Sequence, residues 1–94
     1  VFTITDASTV TPSVSNGTIQ SWTLGANRTL NTSSINAGES LLLMISTGGA
    51  SRTVTWTTVA WMAGSAPTLA TTGFNGIELW KVGSTVYGAY LGKA

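Results

Sequence analysis

The sequence predicts an all-β fold: an antiparallel, jelly-roll-like β-sandwich of about seven or eight strands. Three observations carry that reading. Thr, Val and Ile recur in short alternating runs, the period-2 pattern of half-buried strands. Eleven glycines punctuate the chain at intervals that suit turns between such runs. No stretch of the chain sustains a 3.6-residue apolar period bounded by capping residues, so no helix is expected.

Taken in order, the first two strands are expected at Phe2–Thr5 and Thr9–Val14. Pro12 lies inside the second, and its missing N–H marks an edge or irregular strand. Thr18–Leu24 and Thr29–Asn31 follow. Ser40–Ser46 contains the run Leu41-Leu42-Leu43-Met44-Ile45, apolar on both faces, so it is either a central strand or one whose second face meets another chain. Arg52–Thr57 alternates around Trp56. The segment Thr58–Asn75 is the longest connection and holds Trp61, Met62, Gly64, Pro67 and Gly73. Long connections in small domains are often functional, although Trp61 and Met62 would serve equally well as a lid over the open end of the sandwich.

The last two strands, Gly76–Val82 and Thr85–Gly92, can be set in register from the sequence alone. Gly83-Ser84 is a two-residue Gly-X hairpin loop. It puts Val82 opposite Thr85, Lys81 opposite Val86, Trp80 opposite Tyr87, Leu79 opposite Gly88 and Ile77 opposite Tyr90. One face then carries Trp80, Val82, Tyr87, Ala89 and Leu91, the other Ile77, Leu79, Val86 and Tyr90. Both are apolar, so one is expected in the core and the other against a neighbouring chain. Trp56 and Trp80, flanked by alternating apolar residues, are expected in the core. A faint internal echo joins Gly25-Ala-Asn-Arg-Thr-Leu30 to Gly49-Ala-Ser-Arg-Thr-Val54. It reads as two hairpins with similar turn chemistry, or else as a duplication.

At 94 residues the chain is expected to be one domain spanning 1–94, with a thin core. Because it starts at Val1 rather than Met, the expectation is a processed chain or the C-terminal part of a longer one. Only 7% of residues are charged, against roughly 25% in an ordinary soluble domain. Arg28, Arg52, Lys81 and Lys93 are scattered, so the clustered basic footprint of a nucleic-acid or membrane-surface binder is missing. The longest apolar run falls far short of the ~20 residues of a membrane helix. A surface this poor in charge suits a Thr/Ser-coated sandwich, or one covered by sister subunits. Leu42, Met44, Tyr87 and Tyr90 are the candidate interface residues.

Catalysis is not expected. The chain has no His and no Cys, which removes the commonest general base and the thiol nucleophile. Asp6, Glu39 and Glu78 are its only carboxylates, and their separation suits neither a glycosidase pair nor a hard-metal cage. No cofactor or metal is expected. What is left is binding. Four Trp and two Tyr offer flat faces for sugar rings or protein partners, and Trp61 with Met62 in the long connection is the candidate ligand site.

The run Ser51-Arg52-Thr53-Val54-Thr55-Trp56, then Trp61, then Gly64-Ser-Ala-Pro-Thr-Leu69 resembles the closing domain of bacteriophage and prophage tail-fibre-like virion surface proteins. Ile77-Glu-Leu-Trp-Lys-Val82 and Thr85-Val-Tyr-Gly-Ala-Tyr-Leu91 fit the ending of such domains, and Ser21-Trp-Thr-Leu-Gly-Ala-Asn-Arg-Thr-Leu30 fits their opening. Thr57 and Thr58 depart from the pattern, which often has a proline after the Trp. The resemblance implies a β-sandwich, commonly trimeric, located on the virion among other virion proteins. It implies no catalytic or metal residues. The expected function is therefore a virion structural protein: a tail-fibre or receptor-binding tip domain that adheres to host-surface glycan. A trimeric capsid decoration (cement) protein is the alternative, and a free carbohydrate-binding module the second alternative.

Overall fold

A computed structural model describes residues 1–94. The strands are β1 (Phe2–Thr3), β2 (Thr9–Val10), β3 (Ile19–Thr23), β4 (Arg28–Asn31), β5 (Ser40–Ser46), β6 (Val54–Thr57), β7 (Ala60–Trp61), β8 (Asn75–Val82) and β9 (Thr85–Lys93). The only helical piece is a 3-10 turn at Val14–Asn16, capped by the Ser13 hydroxyl. The fold is all-β, and each expected strand is present, trimmed or shifted by a few residues at its ends. Pro12 does stop the second strand, which ends at Val10 on the edge of its sheet.

The pairing differs from the jelly-roll expectation. One sheet has six strands in the order β1-β3-β5-β8-β9-β7, the other three in the order β2-β4-β6. β1, β3 and β5 run parallel, and so do β2, β4 and β6. The chain thus alternates between sheets, and each pass lays one rung on the last, in the manner of a β-solenoid. Only β5–β8 and β8–β9 are antiparallel. The physical reason the sequence misleads is that alternation reports which side chains point inward, and inward is the same for both strand directions. The four residues between β3 and β4 look like a hairpin loop. They are instead a corner that carries the chain from one sheet to the other.

The core follows from the alternation. Gln20 and Trp22 of β3, with Leu24 just beyond it, and Leu41, Leu43 and Ile45 of β5 all have 0% exposure, as do Ile77 and Leu79 of β8. All of these but Gln20 join Ile4, Val10, Leu30, Ile35 and Val86 in one hydrophobic cluster that draws on both sheets. β5 is the central strand the apolar run predicts, with neighbours on both sides. Its other face, Leu42 and Met44, is half-buried.

The corners are held by the two arginines of the internal echo. Arg28 clasps Asp6 with both ends of its guanidinium, Nε–H to Oδ1 at 3.1 Å and Nη2 to Oδ2 at 2.7 Å. The same carboxylate accepts from Trp22 Nε1–H at 2.9 Å and from the Gly25 N–H at 2.9 Å. One rung on, Arg52 Nη1 donates to the Leu24 carbonyl at 2.6 Å and the Thr47 carbonyl at 2.7 Å. Each arginine reaches back to the preceding rung. The echo is therefore a rung-to-rung repeat, not a pair of hairpins. Gly48 makes room for it: its φ is +72°, and a Cβ there would lie 2.6 Å from Arg52 Nη1, so no other residue fits without strain.

Asp6 carries a pH consequence. Its partial desolvation acts to raise its pKa, but the hydrogen bonds from Arg28, Trp22 and Gly25 and the Arg28 charge outweigh that and hold the carboxyl below its ordinary value. A group depressed in the folded state stabilises above its unfolded-state pKa, and the contribution disappears as pH falls through the folded value. We expect Asp6→Ala to lower stability by about 1–2 kcal/mol at neutral pH. The deficit should shrink below the carboxylate range in urea titrations of both proteins. An undiminished gap in acid would contradict the assignment.

The β8–β9 hairpin has the register read from the sequence, with Trp80 opposite Tyr87 and Ile77 opposite Tyr90. Gly83 at φ +60° supplies the first central position of a type II′ turn. One expectation is corrected. Trp80 is not in the core; it lies half-buried on the outer face of the six-stranded sheet, stacked on Tyr87 at 6.3 Å between ring centroids. Trp56 is half-buried and packs against the core cluster.

Candidate binding cleft

The connection after β6 begins with a cis Thr57–Thr58 peptide. The Thr32 hydroxyl binds this exit, accepting from Thr58 N–H at 3.1 Å and reaching the Thr57 carbonyl at 3.1 Å. The chain then adds β7 to the far edge of the six-stranded sheet, parallel to β9, with Trp61 opposite Gly88. The pairing continues through Met62 N–H, which donates to the Gly88 carbonyl at 2.9 Å.

Gly88 is what lets Trp61 lie down. A Cβ on Gly88 would sit 2.7 Å from Val59 Cγ1 and 2.8 Å from Trp61 Cζ3, closer than real carbons approach. The indole rests on bare backbone and meets Trp56 edge to face, at 5.0 Å and 80°, a favoured aromatic geometry. Trp61 is thus half-buried and fixed, while Met62 beside it is 66% exposed.

From there the chain turns through Gly64, whose N–H donates to the Trp61 carbonyl at 2.9 Å, and runs past Ser65, Ala66 and Pro67. Between this segment and β9 lies an open cleft of about 520 Å³ lined by Trp61, Met62, Ala63, Ser65, Ala66, Pro67, Ala89 and Tyr90. Its volume falls within the ~300–1,000 Å³ of ordinary ligand sites. Tyr90 is oriented from below, its hydroxyl donating to Asn75 Oδ1 at 2.7 Å. Asn75, with 0% exposure, also accepts from Ala70 N–H at 2.8 Å and donates through Nδ2 to the Ile45 and Ala70 carbonyls, each at 3.1 Å. One buried amide therefore ties the core strand β5, the end of the cleft loop and the Tyr90 ring together.

Trp61 and Met62, singled out in the sequence, are in the cleft. Tyr90, expected at an oligomer interface, lines the cleft beside them. Leu42, Met44 and Tyr87 fall elsewhere, on the outer face of the six-stranded sheet. Sequence reasoning missed Asn75; the only hint was an Asn-Gly step at the start of a strand. No charged side chain lines the cleft. It offers apolar and aromatic surface plus the Ser65 hydroxyl and the Tyr90 phenol oxygen, whose proton is given to Asn75. That chemistry suits a neutral ligand with one flat apolar face and hydroxyls at its rim. Elsewhere, Asp6 is engaged by Arg28, Glu39 Oε1 accepts from the Asn36 N–H at 2.8 Å, and no three His, Cys, Asp or Glu side chains gather into a metal-binding group. Comparison with known protein families, with curated proteins and with solved structures finds no match.

Proposed function

We propose that this chain is a structural protein of a bacteriophage virion. It is a surface-exposed module of a tail fibre or receptor-binding tip that assembles with copies of itself, three in the arrangement the resemblance implies, and adheres to host-surface glycan. The observation that carries the adhesive part is the cleft. A pyranose has an apolar face for Trp61 or Tyr90 and hydroxyls for Ser65 and the Tyr90 oxygen. Both rings are held by β-structure and not by a free loop, so little ordering entropy is lost on binding. The virion part rests on the resemblance of residues 51–69 and 77–91.

A second reading is favoured by the broad apolar outer face of the six-stranded sheet: a capsid decoration protein, whose flanks are covered on the particle. Quantitative mass spectrometry of purified particles separates the two. A fibre tip is present in few copies per particle and a decoration protein in hundreds; a chain missing from washed particles would overturn both.

Adhesion is tested on a glycan array followed by calorimetry. Trp61→Ala is expected to weaken binding by about 2 kcal/mol or more, roughly thirtyfold, with the circular dichroism spectrum unchanged. Equal affinity in the variant would remove the cleft from the account. Glycan binding by a chain that never enters particles would favour a free carbohydrate-binding module.

A further inference from the structure

The cleft does not account for the other face of the six-stranded sheet. Strand alternation turns Leu42 and Met44 of β5 outward, along with Glu78 and Trp80 of β8. Phe74 (42% exposed) and Leu91 (63% exposed) stand at the same end of that face. Between them Gly76 leaves a shallow groove of about 250 Å³, bordered by Leu42, Met44, Phe74, Leu91 and Lys93.

Charge narrows what can cover this face. The chain has seven charged side chains. Arg28 and Asp6 bind each other, Arg52 binds two carbonyls, and Glu39 binds a backbone N–H. The remaining three, Glu78, Lys81 and Lys93, all lie on β8 and β9, and none has an ion pair within the chain. Glu78 is half-buried in the middle of the apolar face. A wholly apolar partner would bury that carboxylate without a counter-charge, which is costly. A second copy would bring a cation with it, since Lys93 stands at the margin of the same face. The copy would also bring a projecting Leu91 of a size to enter the groove over Gly76.

We propose that this face packs on a second copy of the chain, with Glu78 of one copy meeting Lys93 of the other and Leu91 seated over Gly76. The inference deepens the self-assembly part of the proposed function and is independent of the cleft.

Sedimentation of the purified chain is the test. The wild-type chain is expected to sediment as an oligomer. Met44→Glu, which puts a second acid into the contact while staying solvated in a single subunit, should weaken association at least about tenfold with an unchanged circular dichroism spectrum. Glu78→Lys alone and Lys93→Glu alone should each weaken association by a similar factor, because each places like charges across the contact. An equimolar mixture of these two variants restores opposite charges between copies and should recover most of the assembly.

A monomeric wild-type chain, an oligomer indifferent to Met44→Glu, or a mixture no better than its components would each overturn the proposal. The first could coexist with a chain that is still found on particles and still binds glycan through Trp61. In that case the virion and adhesion readings stand, and self-assembly falls together with this contact.

Discussion

Trp22→Ala is expected to cost about 4–7 kcal/mol, a large share of the stability of a small domain. Truncating a fully buried Trp costs about 3–5 kcal/mol in lost transfer and cavity terms. Trp22 has 0% exposure and belongs to the central cluster. Its Nε1–H is also one of the donors that hold Asp6, and losing a charged hydrogen bond adds about 1–2 kcal/mol. Small domains have only about 5–15 kcal/mol in total. Trp22→Phe separates the two contributions. It keeps most of the ring volume and removes the donor, so a loss of about 1–2 kcal/mol is expected in a urea titration. Equal losses for the two variants would mean that the indole N–H, and not packing, dominates at this site.

Asn75→Ala is expected to cost about 2–4 kcal/mol and to weaken glycan binding without touching a lining residue. The amide satisfies the Ile45 carbonyl, both backbone groups of Ala70 and the Tyr90 hydroxyl. Of these, the bond to Ile45 is fully buried. Each buried group left unpaired costs about 1–3 kcal/mol, and the Ala70 and Tyr90 groups recover part of that from water. The comparison is Tyr90→Phe, which removes one hydrogen bond and should cost about 1 kcal/mol. Denaturation midpoints and glycan titrations of the two variants give the readout. If Asn75→Ala proves no worse than Tyr90→Phe in both, the buried amide is not what positions the cleft.

The strands were legible because their signals are local. Leu41, Leu43 and Ile45 alternate with Leu42 and Met44 in an unbroken apolar run, and Gly83-Ser84 fixes the hairpin so tightly that its register follows from counting. The stacking was not legible, because pairing is decided by where the corners send the chain. Gly25 to Asn27 look like a turn between hairpin strands until Arg28 is found bound to Asp6 of the previous rung. The signal that reported the stacking was the repeat of Arg28 and Arg52 in matching contexts, a spacing typical of stacked repeats.

The site divides in the same way. Trp61 and Met62 stood out as bulky apolar residues in a long connection. Tyr90 was assigned to an interface because its strand face was known and the path of residues 62–67 was not. Trp80 was expected inside because a hairpin with two apolar faces does not say which of them is the core. Asn75 gave no sign beyond its Asn-Gly step, since a buried anchoring amide has the same letter as a turn residue.

All of these placements depend on successive passes of the chain stacking in parallel. Nuclear Overhauser contacts between backbone protons test this most directly. The structure pairs Trp22 with Ile45 across β3 and β5, and Leu30 with Trp56 across β4 and β6. It predicts amide-to-Hα contacts between strands around those positions and none between β3 and β4. Close Hα–Hα contacts linking β3 to β4, the mark of an antiparallel hairpin, would contradict the stacked architecture and the cleft and outer face built on it.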